Sequence, residues 1–153
     1  MNDYFKQFFS ENSDQFSVII ENDGRVCYAY LLRDEQIVGD IWLFNQGQTP
    51  GQTDWSKREQ LPFLNPEEYA KGPSDTITIL TENDVHVQWV FADDAGDLDQ
   101  AKIYIRGALS AILKENSKPG WSSNAKKDGP LANVLITHSV PSGLKNRGKN
   151  DDQ

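Results

Sequence analysis

Aromatic side chains and one acid recur at two-residue spacing in the first third of this sequence. Tyr28 and Tyr30 form one such pair, and Asp40 begins a second series that continues with Trp42 and Phe44. Successive side chains of a β-strand point to opposite faces, so this spacing places each series on one face of a strand. Aromatic rings beside a carboxylate can bind a sugar, a cationic group or a protein surface. The pattern therefore indicates a candidate binding face.

The strands that carry these residues are predicted to lie within residues 16–45, where two short polar turns separate three apolar runs. Asp23-Gly24 is the strongest hairpin signal, because a type I′ turn needs positive φ at both central residues. With a two-residue turn there, the first two strands share a wholly apolar face, which we predict to be the core. It consists of Phe16, Val18 and Ile20 opposite Leu31, Ala29 and Cys27.

The second turn of this meander decides which face Asp40 occupies. A two-residue turn at Asp34-Glu35 would place the Asp40 carboxylate in the core, where an unpaired charge is costly. A one-residue change of register moves every side chain to the other face. We therefore predict a three-residue turn over residues 34–36. The resulting pairs are Leu31–Gly39, Tyr30–Asp40, Ala29–Ile41, Tyr28–Trp42, Cys27–Leu43 and Val26–Phe44.

Residues 46–73 contain no clear strand and are long for a connection in a compact domain. Scattered bulky side chains, Trp55 among them, argue against disorder in this segment. Two alternatives follow for the aromatic face. The segment can fold over the rings and bury them, which we favour, or it can leave them open as a binding platform, with Trp55 as a further candidate contact.

A second meander and several short helices are predicted for the rest of the chain. Residues 75–113 alternate like an antiparallel sheet, and residues 108–114 are assigned to a strand although they also fit a helix. Helices are predicted over residues 3–9, where aromatic residues lie one turn apart, and over residues 65–70, where an asparagine N-cap precedes proline. A third helix is predicted from Ser122 or Ser123 to Lys127.

Length and composition indicate one globular domain over residues 1–138 and a disordered tail over residues 139–153, which has almost no apolar content. The net charge of −8 opposes binding to nucleic acid and is compatible with a protein partner that has a basic surface. Cys27 is the single cysteine, which favours a reducing compartment. No signal peptide or membrane-spanning apolar run is visible, so we expect a cytoplasmic protein without membrane contact.

Catalytic and metal-binding motifs are absent from the sequence. The two histidines, His86 and His138, have no partners at metal-ligand spacing, and the acids of residues 93–99 do not follow the EF-hand pattern. No P-loop, HExxH or GxSxG motif is present. We therefore expect no metal, no cofactor and no identifiable catalytic residue, and we favour a binding role over an enzymatic one.

Three strings carry a resemblance to known sequences. The strings IENDGRVCYAYLL, IVGDIWLFN and KPGWSSNAKKDGPLANVL resemble an uncharacterised family of small bacterial cytoplasmic proteins, over residues 16–136. This resemblance implies no particular chemistry. In size, acidity and strand-rich pattern the chain is also similar to the immunity proteins of bacterial toxin systems.

These observations predict a mainly β (α+β) fold. Its antiparallel meanders form a sandwich or a partly open barrel, with two or three short helices. The predicted function is that of a non-enzymatic protein-binding domain, of immunity or regulatory type. The alternative is a small-ligand-binding protein that uses the aromatic face, Tyr28, Tyr30, Trp42 and Phe44, beneath residues 46–73. An enzyme of unrecognised type is the third possibility.

Overall fold

The protein is mainly β. The computed structural model describes residues 3–11, 14–46, 48–71, 80–92 and 97–136. The strands within these ranges are β1 Asp3–Phe9, β2 Phe16–Asp23, β3 Val26–Arg33, β4 Gln36–Asn45, β5 Val85–Phe91, β6 Leu98–Ile105, β7 Ala108–Leu113, β8 Trp121–Ser122 and β9 Asn133–Val134.

The strands form two sheets that follow chain order. Strands β1 to β4 make an antiparallel meander, and β5 to β9 make a second sheet that is antiparallel except for the parallel pair β8–β9. Buried side chains from both sheets belong to one hydrophobic core, and the described strands do not close into a barrel. The predicted antiparallel, mainly β fold is confirmed, as is the strand assignment over residues 108–113.

The edge of β4 that faces away from β3 connects the two sheets through hydrogen bonds. The Asp40 amide donates to the Ser117 carbonyl (3.0 Å), and the Asp40 carbonyl accepts from the Gly120 amide (2.8 Å). One residue pair further along β4, the Trp42 amide donates to the Leu131 carbonyl (3.1 Å). Residues 116–131 therefore satisfy backbone groups of β4 that β3 does not reach.

The first hairpin has a different register from the predicted one. Its two-residue loop is Gly24-Arg25, with Gly24 at φ +90°, so that Val18 pairs with Leu31. The Asp23 carboxylate accepts hydrogen bonds from the amides of Arg25 and Val26, both 2.9 Å, which holds Asp23 before the turn rather than inside it. The predicted register is wrong by two residues. Because strand side chains alternate between faces, an even shift keeps the same side chains on the predicted core face.

The second hairpin reaches the predicted register by another route. Asp34 and Glu35, at φ +49° and +68°, form a two-residue turn, so the predicted three-residue turn is wrong. Val38 is then an extra residue in β4, and beyond it Tyr30 pairs with Asp40 as predicted. A β-bulge thus supplies the one-residue shift that keeps the Asp40 carboxylate out of the core.

A second bulge in β4 changes the position of Phe44. Tyr28 pairs with Trp42 as predicted, but Cys27 pairs with Phe44 because Leu43 is the extra residue. Phe44 is therefore opposite a core residue of β3, and its predicted pairing with Val26 is wrong. Cys27 is fully buried, and burial raises the pKa of its thiol.

The predicted helices are not present in the described residues, whose single helical element is the 3₁₀ helix Arg58–Gln60. Residues 3–9 form β1 because their aromatic spacing of four suits one face of a strand as well as one face of a helix, and pairing with β2 decides between them. Residues 65–70 make one turn before Ala70 bridges to Ala125, and Ser122 lies in β8.

Several predictions fall on residues outside the described ranges. These are the strand segment before residue 80, residues 93–96 of the acidic stretch 93–99, His138 and the tail over residues 139–153. Among the described residues, no helix has the length and apolar content that crossing a membrane requires.

Candidate functional site

The described part of the segment between β4 and β5, residues 48–71, folds over one face of the β1–β4 sheet. This outer face carries Tyr28, Tyr30, Asp40 and Trp42, and the covering segment is residues 48–71. The Tyr28 hydroxyl donates to the Phe63 carbonyl (2.7 Å), and the Arg25 guanidinium donates to the Pro62 carbonyl (2.7 Å). The turn between β2 and β3 and the floor of the sheet therefore both hold this segment in place.

Trp42 is covered completely. Its indole N–H donates to the Asn45 side-chain oxygen (2.9 Å), and that same oxygen accepts from the Asn65 amide (3.0 Å). The Asn45 side-chain N–H₂ group donates to the Asn65 carbonyl (2.8 Å). Trp42 and Phe44 are each only 2% exposed, and the gap beside them is about 20 Å³, too small for a ligand. The structure thus places both candidates in packed, structural positions.

A larger pocket lies next to them, where the covering segment leaves part of the outer face open. Its volume is about 400 Å³, within the range of small-ligand sites. We call it the tyrosine pocket. Its floor is formed by Tyr28, Tyr30 and Asp40, one wall by Leu61, Pro62 and Phe63, and the other wall by Lys118, Pro130 and Leu131.

The two tyrosine rings of the pocket are stacked, with centroids 6.1 Å apart and planes 14° apart. Burial raises the pKa of Tyr28, and it raises the pKa of Tyr30 to about 12, with Glu21 and Asp40 adding to the shift. Both hydroxyls are therefore protonated at neutral pH. The Tyr28 hydroxyl is occupied by Phe63, whereas the Tyr30 hydroxyl has no hydrogen-bond partner in the described part of the chain and can donate to a ligand.

Asp40 is the acid of the pocket and is half-buried. No hydrogen bond or ion pair to its carboxylate occurs within the described ranges. Burial raises the pKa of Asp40, and the charge of Lys118 partly opposes that shift. A carboxylate that has lost part of its hydration without gaining a partner favours any ligand that brings a positive charge or a donor to it.

Trp55 lies away from the tyrosine pocket. Its indole is 39% exposed and packs edge-to-face on Phe63, with centroids 5.3 Å apart. It lines a separate cavity of about 210 Å³ together with Gln52, Thr53 and Tyr69. The structure therefore brings together Tyr28, Tyr30 and Asp40 and leaves Trp42, Phe44 and Trp55 outside this pocket.

Six lining residues of the pocket are not among the residues that sequence reasoning selects. One wall belongs to the segment that is predicted to cover the aromatic face. That prediction therefore already places Leu61, Pro62 and Phe63 near the pocket. Lys118, Pro130 and Leu131 come from turns far along the chain, at the edge of β4. No periodic pattern in the sequence marks these three residues, because their position depends on contacts between loops.

No group of three histidine, cysteine, aspartate or glutamate side chains in the described ranges is arranged to hold a metal ion. The chain matches no family model, no curated protein and no solved structure.

Proposed function

We propose that this protein is a non-enzymatic binding protein whose tyrosine pocket takes a positively charged organic group. The observation that carries this proposal is the Asp40 carboxylate, which is half-buried and without a hydrogen-bond partner in the described residues, beside Tyr30 on the floor of a 400 Å³ cavity. An ammonium or guanidinium group offers Asp40 an ion pair and offers the adjacent rings a cation–π contact.

The remaining walls support an apolar portion next to the charged group. Leu61, Pro62, Pro130 and Leu131 contribute mainly hydrocarbon surface, and the Tyr30 hydroxyl offers one donor or acceptor to fix orientation. The Lys118 charge at the wall limits the affinity for a simple cation, and it suits a ligand that also carries an acceptor. The best fit is an amine or guanidine attached to an apolar body.

Binding is favoured over catalysis because no hydrogen-bonded acid–base pair occurs among the described lining residues of the pocket. Asp40 is the single carboxylate among those residues, and both tyrosine hydroxyls have raised pKa values that keep them protonated at neutral pH. General acid–base catalysis needs a group with a pKa near the working pH in reach of the reacting atoms. The immunity or regulatory role expected from composition remains a proposal, because no contact among the described residues of the pocket favours it over other binding roles.

Calorimetric titration with benzylammonium and with neutral benzyl alcohol tests the proposal, because the two probes share a ring and differ in charge. We expect benzylammonium to bind at least about tenfold more tightly than the alcohol. The preference should disappear in Asp40→Asn and persist in Asp99→Asn, a control at an exposed position of β6. Equal binding of the two probes to the wild-type protein would contradict the proposal.

A further inference from the structure

The outer face of the β1–β4 sheet extends beyond the tyrosine pocket. Strand register places Gln7, Ile19, Tyr30 and Asp40 in one row across the four strands. The next row, away from the covering segment, is Phe9, Ser17, Leu32 and Ile37. A hydrogen bond from the Gln7 amide to the Ser17 hydroxyl (3.0 Å) links these two rows on the same face. The floor of the pocket is thus continuous with a row that ends in the exposed side chains of Phe9 and Ile37, whereas Ser17 and Leu32 between them are buried.

Large apolar side chains on this outer face are open to solvent at the two edges of the sheet, on β1 and on β4. Phe5 is 65% exposed, Phe9 54% and Ile37 51%. Leu61, on the opposite side of the tyrosine pocket, is 52% exposed. We call Phe5, Phe9 and Ile37 the apolar flank. Phe5 and Phe9 lie on β1 and Ile37 lies on β4, so these residues border the same sheet face from its two edges. Exposed apolar residues around a pocket are typical of an interaction site.

The charges around the apolar flank favour a basic partner. Glu21, which pairs with Phe5, is exposed, and Asp40 lacks a partner in the described ranges. Two nearby cations are engaged elsewhere, because Arg33 is paired with Glu115 (2.8 Å) and Lys6 lies over the Phe8 ring (5.0 Å). Lys118 lines the pocket beside Asp40 and offsets part of this negative charge. The formal charge of the whole chain is −8. A partner surface with positive charge and apolar side chains is complementary to this face.

We infer that the apolar flank and the tyrosine pocket together dock another protein, which inserts a lysine or arginine side chain beside Asp40. This inference rests on the proposed function of the pocket and specifies the source of its cationic group. A free small molecule would use the pocket alone and would leave Phe5, Phe9 and Ile37 unexplained. A protein segment accounts for both features, with a charged anchor in the pocket and apolar contacts around it.

A second copy of this chain is a poorer occupant of the same surface. A two-fold interface would bring Glu21 and Asp40 of both copies onto one contact area, between chains that each carry a charge of −8. Self-association is therefore an outcome of the test that would overturn the inference.

The test is selection of a phage-displayed library of random 12-residue peptides on the immobilised full-length protein. We expect the selected peptides to share a lysine or arginine next to apolar residues. Synthetic versions should lose at least about tenfold in affinity against Asp40→Asn and against Phe9→Ser, since truncated interface anchors commonly cost this much. Ile136→Ser is the matched control, because Ile136 is 70% exposed and follows β9 of the other sheet.

The outcomes separate this inference from the proposed function. Peptides that need Asp40 but bind Phe9→Ser as tightly as the wild type would leave the pocket in place and overturn the docking surface. Peptides without a basic residue, or insensitive to both substitutions, would overturn both proposals. Sedimentation that detects a dimer abolished by Phe9→Ser would assign the surface to a second copy. Melting curves of Phe9→Ser confirm its folding, because the substitution is at an exposed position.

Discussion

The Asp40 side chain lies in an environment that opposes the stability of the folded protein. Its carboxylate lies on an aromatic face, half-buried, and its pKa is raised mainly by burial. A residue with this environment destabilises the folded state when it is charged, because the unfolded chain hydrates it better. Binding sites commonly retain such residues at the expense of stability.

We expect Asp40→Asn to melt at a higher temperature than the wild type at pH 7. The folded pKa of Asp40 is raised above its ordinary value of 3.8, so the unfavourable burial of charge is absent below that value and complete above the folded pKa. The advantage of Asn should therefore vanish as the pH falls below 3.8. Melting curves between pH 3 and pH 7 measure it.

Asp99→Asn is the control for this series, because Asp99 is exposed. It should leave the melting temperature nearly unchanged at every pH. A melting temperature of Asp40→Asn below that of the wild type at pH 7 would show that the carboxylate has a favourable partner in solution.

Trp42 is expected to be a residue of the core rather than of a binding site. It is 2% exposed and anchors Asn45, which in turn holds Asn65 of the covering segment. Trp42→Ala should lower the free energy of unfolding by about 3–5 kcal/mol, the usual cost of deleting a large buried ring. Urea denaturation measures the change. Trp55→Ala should cost about 1 kcal/mol or less, because that indole is 39% exposed, and similar losses in the two variants would contradict this assignment.

At the scale of elements, the turn between β3 and β4 contains conformational strain. Glu35 has φ +68°, a left-handed conformation that disfavours side chains with a Cβ atom. Glu35→Gly should stabilise the protein by about 0.5–1 kcal/mol, since type I′ turns prefer glycine at this position. The backbone strain that glycine removes is larger than the conformational entropy that it loses on folding. Denaturant midpoints measure the gain.

Gln36→Gly is the matched control for this turn. Gln36 begins β4 and has no positive φ, so glycine there should destabilise the protein by about 0.5–1 kcal/mol. Two substitutions in adjacent positions are thus expected to act in opposite directions. Destabilisation by both would indicate that the turn conformation differs in solution.

Gly120 sets the distance between β7 and the loop that precedes β8. A Cβ atom at this position would overlap the Ile112 carbonyl oxygen, and its neighbours are backbone and the Leu113 side chain. Gly120→Ala should therefore lower the free energy of unfolding by about 1–3 kcal/mol, as overpacking does. Gly107→Ala provides a comparison, because nothing lies within 4 Å of its Cβ position and only the φ of +82° is unfavourable there.

Local sequence patterns predict some elements of this fold and fail to predict others. Alternation in residues 16–45 gives the strands, and the cost of burying Asp40 gives the correct pairing of Tyr30 with Asp40. The bulges at Val38 and Leu43 leave no local signal, so the turn length and the pairing partner of Phe44 are predicted wrongly. A spacing of four is common to helix and strand faces, which explains the error over residues 3–9.

The candidate site likewise has a part that local sequence patterns predict and a part that they do not. Its floor, Tyr28, Tyr30 and Asp40, is on strands whose period is readable from the sequence. Its walls depend on contacts between distant segments, such as the hydrogen bond from Trp42 to Leu131, and such contacts have no periodic pattern. The residue that adjusts the charge of the site, Lys118, is consequently found only in the structure.

At the scale of the whole molecule, the shared core predicts cooperative unfolding. Buried residues of both sheets belong to one cluster, and residues 116–131 hydrogen-bond to the edge of β4. In a variant that keeps only Trp42, in the first sheet, the fluorescence transition should coincide with the far-ultraviolet circular dichroism transition of that same variant, which reports on both sheets. A variant that keeps only Trp89, in the second sheet, should show the same agreement between its own two probes, although its midpoint is lower because it lacks the Trp42 ring. A fluorescence midpoint that differs from the circular dichroism midpoint within either variant would show that the sheets unfold independently.

The closure of the β4 edge by residues 116–131 also has a consequence for synthesis on the ribosome. The first meander contains only neighbouring strands, so it can pair as soon as residues 3–45 emerge. Translation adds roughly 5–20 residues per second, so the backbone groups of β4 wait several seconds for their partners. During that interval a nascent chain exposes an apolar strand edge that can pair with other chains. Slow translation between β4 and β8 should therefore lower the yield of folded protein.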